Sequence, residues 1–269
     1  MKFSVLMSTY YKEKPAYFDR TMQSIWDEQS VKPDEIVLVQ NGLLTGELYQ
    51  VIEKWQGQIG DAFKTLPLKV GGSLGNSLNV GLSACSHGLV ARMDTDDVAL
   101  PHRFEKQLAV FKNSNIDVCG SWIGEFESDE NEIISYRKVP EQNKEIIKFA
   151  QSRCPVNHPA SMYKKEAVTS VGNYPELTED YNLWVKMIVN GAIFYNIQES
   201  LVSMRAGHKL LERRSGLQYA INDIKLQYEF LKIGFVSPVV FLKNLAIRVP
   251  ARLMPKDIFA FVYRKIRQR

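Results

Sequence analysis

Short apolar runs alternate with amphipathic helical patterns through the first hundred residues, and this alternation restricts the fold more than any other feature. The runs have the length of buried strands and are predicted at residues 2–7, 35–39, 63–70 and 89–93. The helical patterns that follow them begin near Tyr17, Gly46, Leu74 and Pro101. Repeated strand–helix units imply an α/β fold, with a mostly parallel sheet covered by helices on both faces.

The fourth apolar run ends abruptly in three carboxylates, Asp94, Asp96 and Asp97. Carboxylates this close together repel one another, which raises their pKa values unless a cation compensates them. Mg²⁺ and Mn²⁺ prefer oxygen ligands, and ligands of open α/β sheets bind at the carboxyl ends of the strands. The pattern therefore indicates a metal and phosphate site. Such acids are also typical of turns and helix N-caps, and spacing alone leaves both interpretations open.

Two further segments carry groups that suit a nucleotide. Ser8, Thr9 and Tyr10 end the first strand, where small hydroxyl groups hydrogen-bond a nucleotide or cap the next helix. The glycine-rich segment 71–82, which contains Asn76, leads into a helix whose N-terminus can hold a phosphate. That segment lacks the spacing of a P-loop and of a complete dinucleotide fingerprint, so it supports a phosphate site only weakly.

After residue 113 the pattern changes to a mixture of strands and helices. We predict strands at 117–126, 133–137, 160–163, 192–196 and 201–204, and helices at 141–153 and 178–190. The last of these helices begins with Thr178 as its N-cap and with Glu179 and Asp180 in its first turn. The helix dipole alone favours acids at that position, so a structural role explains the pair as well as a functional one.

Charge is distributed unevenly along the 269 residues, whose formal net charge is +4. From Leu201 onward there are fourteen Lys or Arg and four Asp or Glu, so the preceding 200 residues carry −6. Arg205 opens this basic part, and an arginine fork suits phosphate oxygens as well as a basic surface loop. The segment from Val236 alternates apolar and basic stretches, which suits either a membrane interface or packing against the body.

Composition excludes several classes of protein. No apolar run is as long as the about 18 residues that a membrane-spanning helix needs. The apolar stretch at the start of the sequence is too short to be the core of a signal peptide. Three widely spaced cysteines, Cys85, Cys119 and Cys154, fit reduced thiols better than a disulfide framework or a zinc site.

The segments 3–10, 91–97 and 178–184 appear in the order and spacing of family 2 glycosyltransferases. The sequence most resembles bacterial members that build exopolysaccharides such as amylovoran, capsules or lipopolysaccharide O-antigens. The resemblance covers roughly residues 2–205, and the acidic motif with its flanks is specific to the family. The chain beyond Gly216 has no motif that matches.

The resemblance implies a GT-A fold that catalyses an inverting, metal-dependent transfer from a nucleotide sugar to a glycan or lipid-linked acceptor. Residues 1–215 would form the transferase domain, in which residues 1–100 bind the nucleotide sugar and residues 101–215 the acceptor. Residues 216–269 would form a helical basic tail.

The resemblance also assigns roles to single residues. Asp94 would lie near the ribose and the metal, and Asp96 would bind a Mn²⁺ or Mg²⁺ ion that bridges the diphosphate, assisted by Asp97. Asp180 would be the catalytic base, with Glu179 beside it. The other predicted donor contacts are Ser8, Thr9, Tyr10, Asn76, Arg92 and Arg205.

Two positions depart from the family's pattern. Many relatives carry an acid after the second strand that reads uracil, where this chain has Asn41. An amide both donates and accepts, so Asn41 remains a predicted contact of the base and a UDP-sugar the favoured donor. His208 lies where some relatives place a third metal ligand, and we predict it as one although its neighbours match poorly.

Two alternative functions stay open. A sugar nucleotidyltransferase would need a glycine-rich, arginine-containing loop after the first strand, which residues 8–12 do not provide. A non-catalytic module would bind a nucleotide sugar without turnover. The expected location is cytoplasmic, at the inner face of the cytoplasmic membrane and touching it through the basic tail, without a nucleic-acid partner.

Overall fold

The computed structural model describes residues 1–206 and 216–254. The strands in these ranges are β1 (Phe3–Thr9), β2 (Glu35–Gln40), β3 (Phe63–Pro67), β4 (Leu89–Arg92), β5 (Val98–Ala99), β6 (Val118–Phe126), β7 (Ser135–Arg137), β8 (Met162–Lys164) and β9 (Phe194–Arg205). The helices are α1 (Pro15–Trp26), α2 (Gly46–Ile59), α3 (Leu74–Ala84), α4 (Arg103–Asn113), α5 (Asn143–Ala150), α6 (Lys165–Thr169), α7 (Glu179–Val189), α8 (Leu217–Lys232) and α9 (Pro238–Leu253). Short 3₁₀ turns lie at Gly60–Ala62 and His158–Ala160.

The described strands form one sheet in the order β3-β2-β1-β4-β8-β6-β9-β5, with β7 paired to β6. Strands β1 to β4 run parallel, as expected when a helix connects each strand to the next. Strand β8 is antiparallel to both of its neighbours, β4 and β6, and so joins the two halves of the chain. The predicted α/β fold is confirmed, and its sheet is mixed rather than mostly parallel.

Side chains of the parallel strands alternate between two apolar cores, one on each face of the sheet. Val5 and Ile36 belong to the core that also contains side chains of α1, α2 and α4. Leu6 and Val37 belong to the core that contains side chains of α3, α5 and α7. Burial on both faces explains why these strands are continuous apolar runs in the sequence.

Two predicted elements differ from the structure in their bounds. The strands predicted at 192–196 and 201–204 are the single strand β9, because its register with β6 shifts on both sides of Trp122. A bulge of this kind takes up extra residues without ending the strand. The helix predicted at 141–153 is the shorter α5.

Helices α8 and α9 pack against α7. The ring of Phe230 lies 5.0 Å from that of Tyr181, centroid to centroid, within a small apolar cluster. Asn244 donates from its side chain to the backbone oxygen of Gln151 (2.7 Å). The described part of the predicted tail is therefore helical and contacts the body, while the predicted boundary at residue 215 lies outside the described residues. None of the helices in residues 1–206 and 216–254 is long and apolar enough to cross a bilayer.

Candidate active site

The acidic loop after β4 rests on two arginines that are fully buried, Arg92 and Arg103. Arg92 forms an ion pair with Asp94, whose side chain is 35% exposed. Arg103 donates to the backbone oxygen of Arg92 (2.6 Å), and burial together with the charge of Arg92 lowers the pKa of Arg103 to about 9. The two guanidinium groups place positive charge beneath the acids and support the end of the strand.

Negative charge is concentrated around Asp96. Burial, together with the charges of Asp94 and Glu13, raises the pKa of Asp96 to about 7. The hydroxyl of Thr95 holds Glu13 in place by donating to its carboxylate (2.7 Å). Sequence analysis missed Glu13, which lies 82 positions before Thr95. Its only signal in the sequence is its place in the loop after β1, at the same edge of the sheet.

Asp97 fastens the acidic loop to its neighbours. Its carboxylate accepts from the backbone N–H of Arg205 (2.9 Å), and its backbone oxygen accepts from the hydroxyl of Thr21 (2.6 Å). Burial and the charges of Asp96 and Asp94 raise the pKa of Asp97 well above its usual range. Its second carboxylate oxygen is buried and has no hydrogen-bond partner among the described residues. The loop therefore holds more negative charge than its own contacts compensate.

The chemistry of this loop fits a hard divalent cation. Asp94 and Asp96 offer carboxylate oxygens, and Mg²⁺ commonly takes one or two protein carboxylates together with substrate phosphates. Within the described ranges, no three His, Cys, Asp or Glu side chains are grouped so that they could hold a metal ion. His208, the predicted third ligand, lies outside the described residues.

The ends of β1 and β2 meet the glycine-rich segment at the same edge of the sheet. The backbone N–H of Asn41 donates to the oxygen of Thr9 (2.8 Å). The side-chain amide of Asn41 accepts from the N–H of Gly72 (2.7 Å) and donates to its oxygen (3.0 Å). Ser73 caps α3 by accepting from the N–H of Asn76 (3.2 Å). Asn41 thus connects the loop after β2 to the glycine-rich segment. This structural role was not part of the prediction, which gave Asn41 only a contact with the base.

Arg205, a predicted contact of the donor, borders the acidic loop. Its guanidinium lies over the rings of Tyr17 (3.7 Å) and Phe126 (4.5 Å), and its Nε donates to the backbone oxygen of Asp96 (3.3 Å). Its charge partly offsets the factors that raise the pKa of Asp96. The aromatic rings therefore fix a positive charge beside the carboxylates.

The second acidic feature lies at the start of α7, as predicted, but the geometry of its cap is different. Thr178 occupies the predicted N-cap position, but it adopts a left-handed backbone (φ +51°, ψ +59°) and its side chain makes no capping hydrogen bond. N-caps normally have extended backbones, and a β-branched residue rarely adopts the left-handed region. Asp180 instead accepts from the adjacent N–H of Tyr181 (2.7 Å), and its other oxygen lies 3.7 Å from the thiol of Cys154.

The two acidic features are electrostatic neighbours. Burial is the largest cause of the raised pKa of Glu179, and the charges of Asp180 and Asp94 add to it. Gly75 lets α3 approach the start of α7 closely. A Cβ at this position would lie 2.6 Å from the backbone oxygen of Pro175 and 3.4 Å from the Cβ of Glu179. Sequence analysis missed this contact, although a glycine in a helix often has a packing reason.

A cavity of about 1040 Å³ opens beside Glu179 and Asp180. Its walls come from β7, from the segment after α5, and from α8 and α9. Arg137, Arg153 and Arg248 contribute to these walls. The tail, which carries no recognisable motif, therefore lines the space in front of the predicted base. This role of the tail could not be inferred from its sequence pattern.

Comparison with known proteins agrees with this geometry. Residues 4–172 match the family model described as Glycosyl transferase family 2. The chain is 39% identical to the UDP-Gal:alpha-D-GlcNAc-diphosphoundecaprenol beta-1,3-galactosyltransferase of Escherichia coli, over 100% of this chain and 97% of that protein. It is 35% identical to the amylovoran biosynthesis glycosyltransferase AmsE of Erwinia amylovora, over 99% of both.

Solved structures share the fold at lower identity. S. aureus TarS in complex with UDP-GlcNAc superposes with a TM-score of 0.67 at 19% identity, over 94% of this chain and 72% of that chain. The mannosyltransferase PcManGT from Pyrobaculum calidifontis, in complex with GDP-Man and Mn²⁺, gives 0.65 at 14% identity, over 92% and 69%. The mixed sheet and its neighbours define a GT-A-like glycosyltransferase fold. The chain belongs to glycosyltransferase family 2.

Proposed function

We propose that this glycosyltransferase moves a sugar from a UDP-sugar to a sugar carried on a lipid diphosphate, with inversion, during synthesis of a surface polysaccharide. The observation that carries the proposal is that α3 packs closely on the start of α7 at Gly75, where the charge of Asp94 contributes to the raised pKa of Glu179. This proximity supports a site in which carboxylates suited to a metal–diphosphate would lie near a carboxylate suited to proton transfer. Glycosyl transfer needs both at the same anomeric carbon.

On the donor side, Asp94 and Asp96 would hold Mn²⁺ or Mg²⁺, which supplies charge stabilisation to the departing nucleoside diphosphate. Arg92, buried beneath Asp94, orients that carboxylate through its ion pair. The buried hydroxyl of Thr9 has no hydrogen-bond partner among the described residues, and it lies at the edge where the nucleoside would bind. Ser8 and Tyr10 flank it in the chain.

On the acceptor side, Asp180 would accept the proton of the attacking hydroxyl group. General-base assistance of this kind contributes typically about 10²–10⁴-fold. The N–H of Tyr181 orients one carboxylate oxygen of Asp180. The second oxygen lies near the thiol of Cys154, and both residues line the cavity. A single displacement from the face opposite the leaving group inverts the anomeric centre, and it needs one base rather than the carboxylate pair of a retaining glycosidase.

The donor and acceptor classes are carried over from the relatives. The E. coli relative is named for a UDP-Gal donor and a GlcNAc-diphosphoundecaprenol acceptor, and it aligns with the whole of this chain. TarS, which shares the fold, was solved with UDP-GlcNAc. These names support a UDP-sugar donor and an acceptor anchored in a membrane by its lipid.

Contact with a membrane forms part of the proposal. Helix α9 exposes apolar side chains on its outer surface: Val239 is 75% exposed, Leu242 64% and Ile247 60%. The chain from Leu201 onward carries ten more basic than acidic residues. An exposed apolar surface in a basic segment suits an anionic lipid interface.

A transfer assay tests the proposal and separates it from the alternatives. The protein would be incubated with Mn²⁺, UDP-Gal or UDP-GlcNAc, and a short-chain lipid diphosphate that carries GlcNAc. We expect release of UDP and a disaccharide product with inverted anomeric configuration by NMR. In a parallel reaction that contains UTP and a sugar 1-phosphate instead of the UDP-sugar, release of pyrophosphate would indicate a nucleotidyltransferase. Donor binding without any turnover in either reaction would indicate a binding module, and either result would overturn the proposal.

A further inference from the structure

The geometry points to an anion subsite at Arg137 and Arg153 that binds the diphosphate of the acceptor, separate from the metal–diphosphate site at Asp94 and Asp96. This inference rests on the proposed function, because it names how the same active site recognises its second substrate. Both arginines line the cavity that opens beside Asp180. The donor carboxylates do not line it.

The two arginines lie close to the predicted base. Arg153 precedes Cys154 in the chain, and the thiol of Cys154 lies 3.7 Å from a carboxylate oxygen of Asp180. The charge of Arg137, at the end of β7, also acts on Cys154. A sugar on a diphosphate must present its hydroxyl group to the base while its anomeric oxygen carries the phosphates. The anion subsite must therefore lie beside Asp180, and both arginines line the same cavity as that residue.

The other two arginines of the cavity are already paired with a carboxylate. Asp223 accepts from Arg248 and from Arg252, each at 2.8 Å. The ammonium group of Lys138 lies 4.9 Å from the ring centre of Trp122. The remaining acids that line the cavity are Glu176, Glu179 and Asp180.

Arg137 and Arg153 have no carboxylate partner among the described residues, and only Arg153 has an aromatic contact, with Phe149 (5.9 Å). Within the described ranges, neither guanidinium group is paired with a carboxylate. Their N–H groups can therefore donate hydrogen bonds to an anionic group of the substrate. Guanidinium forks match phosphate oxygens with paired hydrogen bonds, which makes arginine suited to a diphosphate.

Binding of inorganic pyrophosphate without divalent cations tests the subsite directly, and it does not depend on turnover. We expect calorimetry to detect binding to the wild-type protein and to the Asp96→Asn variant, in which the donor site is weakened. Arg137→Gln combined with Arg153→Gln should weaken that binding at least tenfold. Lys148→Gln, an exposed change on α5 outside the cavity, should leave it unchanged. No binding to the wild type, or equal binding to the double variant, would overturn the inference.

Kinetics separate a failure of the subsite from a failure of the proposed function. The wild type and the double variant would be compared with a GlcNAc lipid diphosphate and with the phosphate-free alkyl glycoside of GlcNAc. We expect the ratio of kcat/KM for the two acceptors to fall at least tenfold in the double variant, through the KM of the diphosphate acceptor. An unchanged ratio with transfer intact would refute the subsite alone, whereas absence of transfer in the wild type would refute the proposed function.

Discussion

Asp180 and Glu179 are adjacent in the chain but have different surroundings. Both line the cavity, but Asp180 accepts from the N–H of Tyr181, whereas the Cβ of Glu179 lies close to Gly75 of α3 and the charge of Asp94 contributes to its raised pKa. The difference favours Asp180 as the base and Glu179 as a group that shapes the meeting of donor and acceptor sides. Sequence pattern alone could not separate them, since both acids occupy the first turn of one helix.

Replacement of Asp180 by Asn tests this assignment. The amide cannot take a proton, so kcat should fall by about 10²–10⁴-fold while the affinity for UDP with Mn²⁺ stays unchanged. Steady-state kinetics and calorimetry would measure the two quantities. Glu145→Gln, an exposed change on α5, serves as the control for charge removal. Normal turnover of Asp180→Asn combined with loss of activity in Glu179→Gln would transfer the role to Glu179.

A buried acid of β2 makes stability depend on pH. Burial opposes ionisation of Glu35, but hydrogen bonds from Lys64, Ser4 and Ser86 lower its pKa from 4.5 to about 2. A lowered pKa in the folded state stabilises the protein above the unfolded value, and this contribution is lost as pH falls from about 4.5 towards 2. The shift corresponds to about 3 kcal/mol at neutral pH.

Chemical unfolding at neutral pH and near pH 3 would measure this contribution. We expect Glu35→Gln to be less stable than the wild type by about 3 kcal/mol at neutral pH, with a smaller difference in acid. Glu53→Gln, on the exposed side of α2, should show no such pH-dependent difference. The same gap at both pH values would contradict the role of Glu35.

At the scale of elements, the contact between α3 and the segment before α7 joins the two halves of the site. Gly75→Ala would push a methyl group into the backbone oxygen of Pro175. Overpacking of this kind costs about 1–3 kcal/mol, and the displaced start of α7 should also lower kcat. Gly57→Ala, in α2, meets nothing within 4 Å and should stabilise the protein by about 1 kcal/mol. Equal stability and activity of the two variants would refute the importance of this contact.

The elements were predictable where local pattern decides them. Strands β1 to β4 and their helices follow from apolar periodicity, because burial on both faces leaves a strong local signal. The bulge in β9 and the left-handed Thr178 were not predictable, because each results from pairing or packing with distant residues. The acids after β4 were likewise visible in sequence, whereas Glu13 and Gly75 join the site only through the fold.

At the scale of the whole molecule, the described part of the tail has two sides with different surroundings. Its inner side packs on α7 and lines the cavity, through Asp223 and Arg248 among others. Its outer side exposes the apolar residues of α9. The sequence indicated a choice between packing and membrane contact. The described tail packs against the body and still leaves an apolar surface for the proposed contact.

Liposome binding tests that surface. Val239→Ser, Leu242→Ser and Ile247→Ser combined should reduce co-sedimentation with vesicles of equal parts phosphatidylethanolamine and phosphatidylglycerol by more than about tenfold, since each buried apolar side chain contributes about 1–2 kcal/mol. Val70→Ser, which removes an equally exposed apolar group from the other half of the chain, should have no effect. Unchanged binding of the triple variant would exclude α9 as the contact.

The central claim is that the acids after β4 bind a nucleoside diphosphate through a divalent cation. Calorimetric titration of UDP, with and without Mn²⁺, tests it on the wild type, on Asp96→Asn and on Asp61→Asn, an exposed acid elsewhere. We predict binding to the wild type and to Asp61→Asn only when Mn²⁺ is present, and at least tenfold weaker binding to Asp96→Asn. Equal UDP binding without Mn²⁺, or full affinity in Asp96→Asn, would contradict the claim and leave the acidic loop as a structural turn.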